Sequence, residues 1–158
     1  MRGAEIRGAL PDSRIHRRLI DVLYVDAMVL ADEARSYFDD GGRADREALP
    51  PLARVAFSCE SLKVTTRLMH VIAWLLTQRA VSAGEMAPRD ALDPSRRLGP
   101  APISDAVAVA ELPARARALI GASADLYRRV GLLDAAQAGV PAGQSPARSM
   151  QERLATAF

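Results

Sequence analysis

The chain has 158 residues and a formal net charge of only +2, although its computed pI is about 9.1. That length gives one domain with a single modest core, and the near-balanced charge argues against a phosphate-coating surface. With one Cys, one Trp, three Tyr and three Phe, an intrachain disulfide is excluded and the interior falls to alanine, leucine and valine, residues that let helices pack closely.

Residues 1–12, MRGAEIRGALPD, carry no continuous apolar run. They read as a flexible arm rather than a signal peptide. The spacing then predicts a first helix over 13–38. Ile15, Leu19, Val22, Leu23, Val29, Leu30, Ala34 and Tyr37 recur at i, i+3, i+4 intervals along it. Gly41–Gly42 is expected to stop this helix by adopting the left-handed conformation open to glycine. Asp26 and Glu33 lie at the edge of its apolar face. They are placed to pair with Arg54, Lys63 or Arg67 of the next helix, or simply to rim the core.

Residues 40–49 are a polar connection. Pro50 and Pro51 open a second helix over 51–83, where a missing N–H costs nothing, and Gly84 closes it. This helix is apolar on two opposite sides at 100° per residue. Leu52, Val55, Ala56, Cys59, Leu62, Thr66, Met69, Ala73, Leu76 and Ala80 fall on one; Phe57, Val64, Leu68, Ile72 and Leu75 fall on the other. A helix apolar all round is covered all round. We therefore expect the Phe57/Val64/Leu68/Ile72/Leu75 stripe to meet a second subunit, or the segment 103–112 folding back. Cys59 is expected to be a buried, inert thiol, and His70 a hydrogen-bonded core or edge histidine. No apolar run approaches the length of a membrane span, the longest being Val71–Leu76.

Pro88, Pro94, Pro100 and Pro102 make 85–102 a loop, with one helical turn at Arg89–Leu92. Residues 103–112 form a short helix or helix extension. Pro113 opens a third long helix over 113–135, with Ala116, Leu119, Ile120, Ser123, Leu126, Val130 and Leu133 on one side. Residues 136–158 are small and proline-containing and read as a largely disordered tail. Within it, Ser145–Pro146 is a helix start, and Ala147, Met150, Leu154 and Phe158 line one face. That pattern fits a short segment that folds onto a partner's groove. The fold class is thus all-α, an antiparallel three-helix bundle with flexible termini.

No catalytic constellation is present. His16 and His70 sit in no metal-binding pattern, no glycine loop matches a phosphate cradle, and no serine has a base at motif spacing. No metal or cofactor is expected. The arginine clusters at Arg14, Arg17 and Arg18, at Arg96–Arg97 and at Arg128–Arg129 are dispersed and have acidic neighbours. Without a helix-turn-helix or an aromatic platform, a nucleic-acid-associated regulator is the second reading.

The run Tyr37–Phe38–Asp39, Gly42–Arg43, Asp45–Arg46, Leu49–Pro50–Pro51, Ala53–Arg54, Glu60–Ser61, Thr65–Thr66–Arg67–Leu68–Met69 and Ala73–Trp74–Leu75–Leu76–Thr77–Gln78–Arg79–Ala80 resembles the alphaproteobacterial regulators of CtrA degradation. The resemblance spans about 13–92 well and the third helix more loosely; the tail does not share it. It implies a cytoplasmic, dimeric three-helix-bundle adaptor without catalysis of its own. Such an adaptor helps deliver cell-cycle proteins, among them the response regulator CtrA, to the ClpXP protease. It works with co-adaptors: a single-domain response regulator and a cyclic-di-GMP effector protein. On this view the dimer would use Phe57, Val64, Leu68, Ile72 and Leu75, and the tail would engage a partner through Met150, Leu154 and Phe158.

Overall fold

The structure, a computed structural model, describes residues 5–139, with side chains from Ser13 onward. It contains helices α1 (Glu5–Ser36), α2 (Arg43–Glu47), α3 (Pro51–Ser82), α4 (Pro88–Ala91), α5 (Ala106–Ala110) and α6 (Ala114–Gln137), and no strand among the described residues. A π-helical turn, Tyr37–Gly41, extends α1. The all-α class and the three long helices agree with the sequence reading. The first helix starts earlier than expected: α1 begins at Glu5, so much of what reads as an arm is helix. Pro11 lies in its second turn.

The helices do not alternate in direction, and the expected antiparallel bundle is corrected on this point. Arg79 of α3 meets Asp21 at 3.4 Å and stacks on the Tyr24 ring, while Phe57 meets Phe38. Numbers fall on α1 as they rise on α3, so these two are antiparallel. Between α3 and α6, Arg67 meets Ser123, Trp74 meets Asp134 and Gln78 meets Gln137. Both numbers rise together, so α3 and α6 are parallel. The physical reason is the connector between them. A 32-residue helix is about 48 Å long, and residues 83–113 are long enough to run back along all of it. Of the prolines expected to make a simple loop, Pro88 and Pro94 each open a short helical turn along this return path.

The caps show why the ends fall where they do. Pro50 precedes the first turn of α3, and Pro51 occupies its first position. At its C-terminus, Gly84 has φ +75°, its N–H donates to the Val81 carbonyl, and that of Glu85 to the Ala80 carbonyl. This is a Schellman closure, in which only glycine is unstrained. The stop after α1 works differently from expectation. Gly42 has φ −88° and is not left-handed. A Cβ there would lie 2.7 Å from the Tyr37 carbonyl oxygen, so the glycine is needed for close approach.

The core lies where α1, α3 and α6 meet. Ile20, Leu23, Ala27 and Ala34 come from α1, Phe57, Val64, Leu68, Val71, Trp74 and Leu75 from α3, and Ala116, Leu119, Ile120, Leu126 and Val130 from α6. This corrects the expected subunit interface. Phe57, Val64, Leu68 and Leu75 are buried within the chain, and Ile72 packs partly buried against the same core. They point at the core shared with α1 and α6, to which the segment 103–112 also contributes: Leu112 is buried in it and Val109 packs against it.

Candidate partner-binding surface

α3 carries three faces, each with different chemistry. The first is the core stripe just described. The second faces the returning connector and is polar although buried. Glu60 and Arg67, both at most 3% exposed, lie one above the other on it. Arg67 donates to the Pro102 carbonyl at 3.1 Å, to Ser104 Oγ at 2.6 Å and to Ser123 Oγ at 3.3 Å. Glu60 accepts from Ser104 Oγ and from Lys63 Nζ, and Lys63 also reaches the Ile103 carbonyl. Further along, Asp134 accepts from Trp74 Nε1 at 2.9 Å and takes a two-pronged contact from Arg97 at 2.8 and 3.0 Å. Tyr127 donates to the Gly99 carbonyl. These bonds fasten the connector into the α3–α6 groove and supply partners for its backbone carbonyls.

The protonation balance follows from this packing. Burial lowers the affinity of Arg67 for its proton, and the nearby Glu60 carboxylate opposes that shift. Arg97 moves the other way because Asp134 accepts its hydrogen bonds. At the far end of the bundle, burial and a hydrogen bond to Asp45 push the Tyr37 phenol up to about 12.

The third face is apolar and uncovered. Leu52, Val55, Leu62, Met69 and Leu76 are 86%, 60%, 68%, 64% and 46% exposed. With Cys59, Thr66, Ala73 and Ala80 they follow a strict three-four spacing along α3, which is a coiled-coil seam. A seam of this length left in water marks an interaction site. The sequence shows these positions on one side. It does not show which of two apolar sides turns inward, and the heptad regularity was the available signal. Beside the seam, Ala31, Ala34 and Phe38 of α1 and Leu68 and Ile72 of α3 wall a groove of ≈ 400 Å³.

Other expected site residues divide as follows. Cys59 is exposed on the seam, not buried, because that face has no cover within the chain. His70 packs against Gly99, where a Cβ would approach its ring to 3.0 Å, and its buried Nδ1 has no hydrogen-bond partner. Glu33 pairs with Arg115 of α6 at 3.5 Å, not with α3. Arg54 donates to the Leu49 carbonyl, and Arg67 and Lys63 are turned toward the connector, so neither serves Asp26. Met150, Leu154 and Phe158 lie outside the described residues. Among the described residues no group of three His, Cys, Asp or Glu is placed to hold a metal ion, and no helix is long and apolar enough to cross a membrane.

These features define a protein, all-helical among its described residues, whose helix α3 is locked on two faces and open on the third. Residues 12–158 match the family described as "Protein of unknown function (DUF1465)". The chain is also similar to a solved structure, RcdA, the regulator of CtrA degradation, from Caulobacter crescentus CB15. The identity is 35%, over 81% of this chain and 95% of that one, with a TM-score of 0.62. The chain belongs to this family of regulators of CtrA degradation. No curated protein matches it.

Proposed function

We propose that this protein is a non-enzymatic adaptor that assists regulated proteolysis, acting as a helical homodimer in the cytoplasm. Its likeness to RcdA across nearly the whole of that chain carries the reading. Its partners are then the ClpXP protease, the co-adaptors and a response-regulator substrate. Three of the buried polar side chains, Glu60, Arg67 and Asp134, hold the connector, which suits a scaffold and leaves the outer surface for contact. The dimer surface is the exposed seam of Leu52, Val55, Cys59, Leu62, Met69 and Leu76, where two copies of α3 would pack knobs into holes.

The test has two parts. Light scattering over a tenfold concentration range should give twice the chain mass, and Leu62→Asp with Met69→Asp should give the monomer mass with helical circular dichroism intact. In a reconstituted degradation assay, adding the chain to ClpXP, co-adaptors and substrate should speed substrate loss. An unchanged rate in the complete mixture overturns the adaptor reading. Salt-sensitive binding to duplex DNA would instead favour the nucleic-acid-associated regulator.

A further inference from the structure

The exposed seam of α3 alternates in size. One heptad position holds Cys59, Thr66, Ala73 and Ala80, all small; the other holds Val55, Leu62, Met69 and Leu76, all larger. The order reverses only at the two ends, where Leu52 is large and Ala83, at the C-terminal cap, is small. The five larger residues, Leu52 included, offer roughly 600 Å² of exposed surface, so two copies would bury roughly 1,200 Å², within the range of a specific interface.

This alternation distinguishes two ways of pairing two copies. In a parallel pair each seam residue meets its own copy. Leu62 would then face Leu62, and Ala73 would face Ala73. Wide layers would alternate with narrow ones, and one helix separation could not close both. In an antiparallel pair the two heptad positions face each other. Place the twofold axis at the height of Arg67 and Leu68, near the middle of Pro51–Ser82. Leu52 then meets Ala83 of the second copy, Val55 meets Ala80, Cys59 meets Leu76, Leu62 meets Ala73 and Thr66 meets Met69. Every layer holds one larger and one smaller side chain, which is how facing layers interdigitate. The surface also carries the hole that this requires. Val55, Ser58, Cys59 and Leu62, at i, i+3, i+4 and i+7, line an open depression of ≈ 540 Å³. Leu76 of the second copy comes down there as the knob. At the edges of the pair, Lys63 comes opposite His70, Thr65 opposite Ile72 and Ser58 opposite Arg79, so no Lys or Arg faces another.

We infer, on the reading that α3 forms the dimer, that the pairing is antiparallel: two copies of α3 meet along Leu52–Ala83 about a twofold axis at its midpoint, the larger residues of each on the smaller residues of the other. This arrangement sets α2 of one copy beside the C-terminal end of the other copy's α3. A protein bound at either end of the assembly would touch both chains, and so would recognise the dimer over the monomer.

Cys59 is the sole cysteine and is exposed on the seam, so mild oxidation of the full chain reads the direction. In the antiparallel pair Cys59 lies about 25 Å along the axis from its copy, far beyond disulfide reach. The unaltered chain should therefore give no covalent dimer. Leu76→Cys should give one, through Cys59 and position 76 of the second copy, and Cys59→Ser with Leu76→Cys should give none. A covalent dimer from either single-cysteine chain, or none from Leu76→Cys, overturns the proposal. A change of size has opposite signs in the two pairings. Ala73→Leu overfills the layer it shares with Leu62 and should weaken dimerisation at least about tenfold; adding Leu62→Ala should restore it. Ala73 is exposed, so the single chain keeps its fold. Stronger dimerisation on Ala73→Leu overturns the proposal, because only a parallel pair has a gap to fill there. Light scattering tells the two failures apart. Monomer mass at every concentration removes the α3 dimer and its direction together, whereas a dimer linked through Cys59 and its copy keeps the dimer and removes only the antiparallel course.

Discussion

Two sides of α3 invert the usual rule of apolar inside and polar outside. Glu60, Arg67, Trp74 and Gln78 carry polar groups into the interior, while Leu52, Val55, Leu62 and Met69 stand in water. The polar side is stable because the connector supplies partners to Glu60 and Arg67 and α6 supplies them to Arg67, Trp74 and the Gln78 carbonyl oxygen; Gln78 Nε2 is the exception, buried and without a partner. The apolar side is unpaid within the chain. The contrast teaches that burial here was assigned by topology: a parallel α3 and α6 need a long return path, the path needs anchors, and the anchors occupy a face that hydrophobicity would have left outside.

Breaking the polar side should have the largest effect. Arg67→Ala removes the contacts to Pro102, Ser104 and Ser123 and leaves Glu60 with less compensation. It should cost about 3–5 kcal/mol in a urea melt, with residues 97–105 losing exchange protection first. Asp134→Ala strands the Trp74 indole N–H and the Arg97 guanidinium. A loss of about 2–3 kcal/mol is expected, since a buried donor then lacks its acceptor, and Trp fluorescence should shift as the ring's surroundings loosen.

Smaller effects sharpen the comparison. Gly84→Ala puts a Cβ on a left-handed residue that has open space around it, so only backbone strain acts, and about 1 kcal/mol should be lost. Tyr37 gives a pH signature. Its phenol titrates near 10.0 when unfolded and about 12 when folded. The folded state holds the proton more tightly, so this stabilisation is complete below pH 10 and disappears as pH rises toward 12. Thermal melts across that window should show the loss, and Tyr37→Phe should flatten it. On the apolar side, Leu62→Asp with Met69→Asp should change the stability of the single chain least, within about 0.5 kcal/mol per site. A multi-kcal loss of unimolecular stability would show that the seam is covered within the chain after all.

The helices themselves were legible because each carries local signals that act over a few residues. Pro50–Pro51 and Gly84 bound α3 within one residue of expectation, and the turn at Pro88–Ala91 appears where Arg89–Leu92 was read. Asp105 caps α5 by accepting from the Val107 N–H, inside the segment expected to be a short helix. Much of the candidate surface was also visible, as a set of positions on one side of α3. Its role was misassigned because a helical wheel has no inside or outside. Phe57, Val64 and Leu75 went inward because the aromatic rings of Tyr37 and Phe38 await Phe57 there, a contact between residues on different helices.

By itself the sequence determined that this protein is helical, where α3 starts and stops, and that α3 has more apolar surface than one partner helix can cover. Periodicity, proline and glycine act through the chain's own backbone, so no distant residue is needed to read them. Only the tertiary structure decided the parallel course of α3 and α6, the burial of Glu60 and Arg67 under the connector, and the exposure of the Leu52–Leu76 seam. Those outcomes rest on pairs such as Arg67 with Ser123 and Trp74 with Asp134, each more than fifty residues apart in sequence. Their energies exist only once the whole bundle has closed.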